Sequence, residues 1–103
     1  MPLLPEEKIG EFMISDTFLS DPPGYACIQC HIPEAGDTGP DSKVNEFAGT
    51  MPGVRKDRWS NRKPQTYRYA AFSPYGPYFD AGLGVWIGGT FWDGHTVDLV
   101  GQA

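Results

Sequence analysis

Cys27-Ile28-Gln29-Cys30-His31 constrains this chain more than any other stretch. C-x-x-C-H is the pattern by which a polypeptide fastens a haem covalently. Two thiols add across the haem vinyl groups, and the histidine directly after them gives a nitrogen to the iron. The spacing has a mechanical cause: on one helical turn the two Cβ atoms sit on one side, about as far apart as the vinyls, and His31 points at the ring centre. A chain of 103 residues buries only a modest core by itself, and a large flat apolar group would help fill it.

Other chemistry is open to the same residues. A thioredoxin-like pair calls for a strand–helix–strand setting, which the flanks of Cys27 lack. A zinc site needs four ligands, and only Cys27, Cys30, His31 and His95 are of the soft type. Adjacent Cys30 and His31 make that convergence awkward. A disulfide across a two-residue gap would be strained. A haem-free chain with Cys27 and Cys30 as thiols or zinc ligands stays as an alternative.

Thirteen Gly and ten Pro imply a loop-rich fold, while 14% aromatic residues are too many for a disordered chain. A net charge of −5 argues against general nucleic-acid binding. Six of the eight basic residues, Arg55, Lys56, Arg58, Arg62, Lys63 and Arg68, fall in one short stretch. That stretch suits haem propionates or an acidic redox partner; its plainer reading is a solvated loop face.

Residues 1–6 have neither the basic start nor the apolar run of a signal peptide, and no segment is long enough to span a membrane. Haem attachment of this kind takes place outside the cytoplasm. The motif therefore implies that a leader has been removed, or that Met1 is not the natural start.

Pro5 to Ile14 reads as a helix, with Glu6 and Glu7 at its positive end and Ile9, Phe12 and Met13 as an apolar stripe. Asp21-Pro22-Pro23-Gly24 is a stop, and a short helix then carries Ala26 to His31. Residues 34–63 show no sustained period, as in a connection that hugs a cofactor. A turn or two of helix is expected within 64–72. Val85-Trp86-Ile87 extends, with flanking glycines that exclude a central strand. Thr96 is placed as the N-cap of a last helix, so short before Ala103 that the C-terminus reads as truncated and prone to self-association.

Beyond the haem motif, three blocks resemble the bacterial di-haem cytochrome c peroxidases and their MauG-like relatives. Residues 8–20, KIGEFMISDTFLS, are similar to the helix that precedes the first haem motif there. Residues 61–66, NRKPQT, resemble an "RNxPT" segment with an insertion. Phe91-Trp92-Asp93-Gly94-His95 through Ala103 resembles an "FWDGRxxxLxxQA" block, with His95 where Arg is usual. The resemblance implies a mostly α, small, loop-rich cytochrome c-like haem domain over residues 1–103, one covalently attached haem c, and a periplasmic location. It also implies electron transfer allied to hydrogen peroxide reduction. The family's second C-x-x-C-H is not in this sequence, and its distal acid–base Glu would fall past Ala103. The chain thus resembles a first haem domain or a fragment, acting as a peroxidase only when complemented by a second haem domain or another redox partner. Reduction of peroxide by the chain itself, at an open haem iron, is the enzymatic alternative.

The sixth iron position decides between electron transfer and peroxide chemistry. Met51 is the ligand type available in the loop before residue 61, and Met51-Pro52-Gly53 would present a thioether on a turn; its plainer role is to fill a gap against the haem. His95 is a rival ligand, with a plainer reading as a polar residue at a helix start. Tyr67 and Tyr69 are remoter options. Trp92 matches the family's tryptophan between two haems, an electron-relay ring, and equally suits packing on a haem edge. Asp93 and Asp98 read as helix-start carboxylates.

Overall fold

In the computed structural model, which describes residues 1–39 and 42–102, Pro5 opens the longest helix, α1 (Pro5–Ser15). Proline lacks only an N–H that a first turn leaves unpaired anyway. Glu7 Oε2 accepts the Leu4 N–H at 2.7 Å, and both Glu6 and Glu7 complement the helix dipole. Asp16 ends the helix in extended backbone, and its Oδ1 accepts the Phe18 N–H at 2.9 Å to start the 3-10 turn Thr17–Leu19. α1 lies against the turn Cys27–Gln29. Its stripe of Ile9, Phe12 and Met13 is nevertheless exposed.

The chain divides into two compact units, Met1–Thr66 and Tyr67–Ala103. In the first, the Gly24 N–H donates to the Thr17 carbonyl at 2.8 Å, and Ser20 Oγ accepts the Tyr25 N–H at 3.0 Å, which folds residues 17–25 back on themselves. Beyond the helical turn α2 (Ser42–Asn45), the long connection is irregular and tied at points. Ile32 bridges Thr38, and Pro52 bridges Trp59. The Gly53 N–H reaches the Arg58 carbonyl at 2.8 Å and the Ser60 N–H the Met51 carbonyl at 2.9 Å. The Thr38 hydroxyl donates to the Pro64 carbonyl, and the Thr66 hydroxyl to the Gly36 carbonyl at 2.7 Å. Ala26 and Met51 are the buried apolar residues among those described.

The second unit is built on a hairpin, β1 (Tyr78–Asp80) antiparallel to β2 (Val85–Ile87), with Tyr78 opposite Ile87 and Phe79 opposite Trp86. Asp80 Oδ1 shapes the connection by accepting the Gly82 and Leu83 N–H groups at 2.9 and 3.0 Å. Phe79 and Trp86 meet edge to face at 5.5 Å, a cross-strand pair of about 0.2–1 kcal/mol. Thr90 bridges Thr96, and a last turn, α3 (Leu99–Gln102), comes after it.

A mostly α fold is not what the chain adopts. Among the described residues there are α-helices of 11, 4 and 4 residues, isolated 3-10 turns and a two-stranded sheet. Proline and glycine are the physical reason, since they punctuate nearly every segment before a second helical turn can form. The expected helix within 64–72 shrinks to the 3-10 turn Ala70–Phe72, because Tyr69 adopts a left-handed φ of 61°. The cap of α3 is Asp98, whose Oδ1 accepts the Gly101 N–H at 2.9 Å, and not Thr96. The expected ending at Ala103 lies outside the described residues.

Candidate functional site

Cys27, Cys30 and His31 leave one short turn. Ala26 enters it extended, and Gln29 Oε1 returns to accept the Ala26 N–H at 2.5 Å, which closes the turn from its start. The Cys30 and His31 N–H groups then both reach the Cys27 carbonyl, at 3.0 and 2.9 Å. Cys27 is exposed and Cys30 half-buried, and both carry free thiols.

His31 is oriented by the loop that leads away from this turn. Pro33 starts a 3-10 turn, and Gly36 and Asp37 reverse the chain with φ of 75° and 58°. Glycine takes that geometry without cost; Asp tolerates it better than most residues. The Asp37 N–H bonds the Ile32 carbonyl at 2.9 Å and the Ile32 N–H the Thr38 carbonyl at 3.0 Å. Together these bonds set the Asp37 carbonyl 3.2 Å from His31 Nδ1. A carbonyl only accepts, so Nδ1 is the donor, and in the neutral ring that leaves the lone pair on Nε2, the tautomer a metal ligand needs. Asp37 is 8% exposed, the one buried charged residue type among those described.

Met51 is drawn to the same neighbourhood. It is 5% exposed, and a Cβ at Gly39 would stand 3.3 Å from its Cγ, 3.4 Å from its Sδ and 2.6 Å from the Cys30 carbonyl. Only glycine lets these three segments of chain approach so closely. Tyr25 joins them too: its hydroxyl donates to the Pro52 carbonyl at 2.6 Å and lies 3.6 Å from Cys30 Sγ. Burial holds the Tyr25 phenol well above its usual pKa. Lys56 Nζ stands 4.6 Å from the centre of the Tyr25 ring. Arg55, Lys56 and Arg58 are all exposed on this loop.

The second unit holds the other candidates. Trp92 is 59% exposed and, with Pro77, Trp86 and Phe91, lines an open cleft. Phe91 takes a left-handed φ of 64° and stacks on His95 at 4.3 Å, while Asp93 Oδ1 meets His95 Nδ1 at 2.5 Å. His95 therefore sits in a turn rather than at a helix start. Asp93 orients it rather than capping a helix. Tyr69 is exposed and Tyr67 half-buried. Among the described residues, no three His, Cys, Asp or Glu side chains gather as a metal cluster, so the zinc reading gains no geometric support.

Sequence reasoning located the turn but missed Tyr25, Asp37 and Gly39. Asp37 acts through its carbonyl, which leaves no side-chain signature; the Gly36-Asp37 turn signal shortly after Pro33 was the available hint.

Comparison with known families decides the relationship. Residues 5–103 match the family described as di-haem cytochrome c peroxidase. The chain belongs to that family. No curated protein matches the chain. Di-haem cytochrome c peroxidases are haem-binding oxidoreductases, so the turn at 27–31 must be tested against a haem. It fits in three respects. The donor set is two free thiols and an imidazole on one turn. The imidazole has a carbonyl acceptor at Nδ1, which suits ligation through Nε2 in the neutral ring. Phe12, Phe18, Leu19 and Phe47 of the same unit are exposed, apolar surface that a large flat group would cover. Among the described residues no helix is long and apolar enough to cross a membrane.

Proposed function

We propose that this chain is a haem c electron-transfer domain, with one haem joined to Cys27 and Cys30 and ligated by His31. The observation that carries the proposal is the His31–Asp37 contact, placed on the same turn as both thiols. When bound, a haem supplies a reversible one-electron couple. The two cysteines anchor it, and His31 holds Nε2 toward the iron. Asp37 fixes the ring orientation and raises the imidazole's basicity by accepting the Nδ1 proton. Met51, buried beside the turn, is the candidate sixth ligand, and a thioether there would raise the potential. Trp92 is retained as a ring for electron relay or haem-edge packing.

The domain works in the periplasm and exchanges electrons with a second haem domain or a redox protein, and its C-terminal segment supports self-association. Arg55, Lys56 and Arg58, together on one loop, suit an acidic partner or the propionates. Peroxide reduction belongs to the assembly with a second haem. The test is the chain matured in a periplasm that attaches haem, then extracted with acid–acetone. A Soret band that stays with the protein supports the proposal; a colourless protein and coloured solvent refute covalent attachment.

A further inference from the structure

The two thiols of the turn are not equivalent. Cys27 is exposed, whereas Cys30 is half-buried with its Sγ 3.6 Å from the Tyr25 hydroxyl. The direction of that contact is dictated by the other bond the hydroxyl makes. A phenol has one proton, and at 2.6 Å from the Pro52 carbonyl, which can only accept, that proton is committed. The remaining bond must run the other way, with the Cys30 S–H donating to the Tyr25 oxygen. Tyr25 is itself held in place three times over: by its N–H on Ser20 Oγ at 3.0 Å, by Pro52, and by Lys56 at 4.6 Å from the ring.

We propose that Tyr25 is a positioning residue for the second thioether bond, orienting the Cys30 thiol through its hydroxyl oxygen. The inference rests on the haem reading of the turn. In the bond-forming step the Cys30 sulfur bonds to one carbon of a vinyl group, the C=C π bond breaks, and the thiol proton goes to the other vinyl carbon. No oxidant or reductant is consumed. Tyr25 holds the S–H on one side of the turn until that transfer. Cys27, exposed, needs no such aid.

The test is the Tyr25→Phe chain, matured beside wild type in the same haem-attaching periplasm. Each is denatured and treated with iodoacetamide, and the haem-bearing chains are counted for alkylated cysteine. Wild type is expected to take no label. Tyr25→Phe is expected to yield a haem-bearing population with one label, mapped to Cys30, and a pyridine haemochrome band moved to longer wavelength by the vinyl that remains conjugated. Lys56→Gln, which removes the charge over the ring and leaves the hydroxyl, is expected to match wild type. A Tyr25→Phe protein without label, a label on Cys27, or the same label in Lys56→Gln overturns the assignment. Should Tyr25→Phe give too little haem protein to count, native alkylation of the haem-free wild-type and Tyr25→Phe chains decides: a Cys30 rate that rises relative to Cys27 in Tyr25→Phe supports the bond, and an unchanged ratio overturns it. A wild-type chain that carries no covalent haem refutes the haem reading, and those same native rates then judge the Tyr25–Cys30 bond separately.

Discussion

Residues 1–66 and residues 67–103 are equally rich in turns, yet they spend their irregular backbone differently. In the first unit, segments distant in sequence converge: Tyr25, the 27–31 turn, Asp37, Gly39, Met51 and Pro52 meet within hydrogen-bond or van der Waals reach. In the second, the contacts are mostly backbone ties around a hairpin: a Thr90–Thr96 bridge, a His95 held by neighbours two and four residues away, and N–H groups of Gly89 and Gly76 donating to the Pro74 and Val97 carbonyls at 3.2 and 3.3 Å. Convergence of distant segments is what a prosthetic group needs, because ligand, anchor and orienting carbonyl must be fixed together. The proposed chemistry is placed in the first unit because its converging segments bring both thiols, His31 and the Asp37 carbonyl together.

The sharpest way to break this contrast is His31→Ala. It removes the proposed proximal nitrogen and the partner of the Asp37 carbonyl, and the haem content and most of the folded protein should be lost together. A His31→Ala protein with wild-type melting temperature would show that the convergence does not depend on the haem ligand.

Met51 separates packing from ligation. Met51→Ala should cost about 2–5 kcal/mol in denaturant unfolding, since it hollows the thin core of the first unit. Met51→Leu should keep most of that stability. If the thioether binds iron, both variants lose the weak sulfur-to-iron band of the ferric spectrum and have a lower potential. A Met51→Leu spectrum identical to wild type would leave Met51 as packing alone.

Much of this was legible in the sequence, and the reason differs by residue. The 27–31 turn is local, so spacing alone located it. α1 announced itself through Pro5 and its acidic first turn. The Tyr25–Pro52 bond spans 27 positions and the Gly39 approach joins three segments, and no periodicity encodes such contacts. The mostly α expectation failed because family likeness carries helix order but not helix length, and Gly and Pro in this chain shorten every helix after the first. Trp92 was legible as a motif residue, while its exposure was not.

Asp98→Ala tests the second unit. Loss of the bond to the Gly101 N–H should cost about 1 kcal/mol, felt by α3. Local contacts predict a local effect, read as faster hydrogen exchange in residues 99–102 with the haem spectrum unchanged. A shifted haem spectrum would mean that the cap serves the site after all.

The smallest effect is alkaline. The raised pKa of Tyr25 keeps the folded phenol protonated while the unfolded one ionises near pH 10, so its stabilisation is intact below that pH and fades as pH rises toward the folded value. Wild type should lose stability above about pH 10 more steeply than Tyr25→Phe. Parallel curves would mean that the phenol is not held as described.

The central claim is that the 27–31 turn and Asp37 surround a haem iron, and nitrogen–proton correlation spectra of the ferric and ferrous protein test it most directly. A paramagnetic iron broadens and shifts the amides closest to it. The account predicts that Cys30, His31 and Asp37 move most between the two states. Spectra in which Cys30, His31 and Asp37 stay still while other amides move would contradict it.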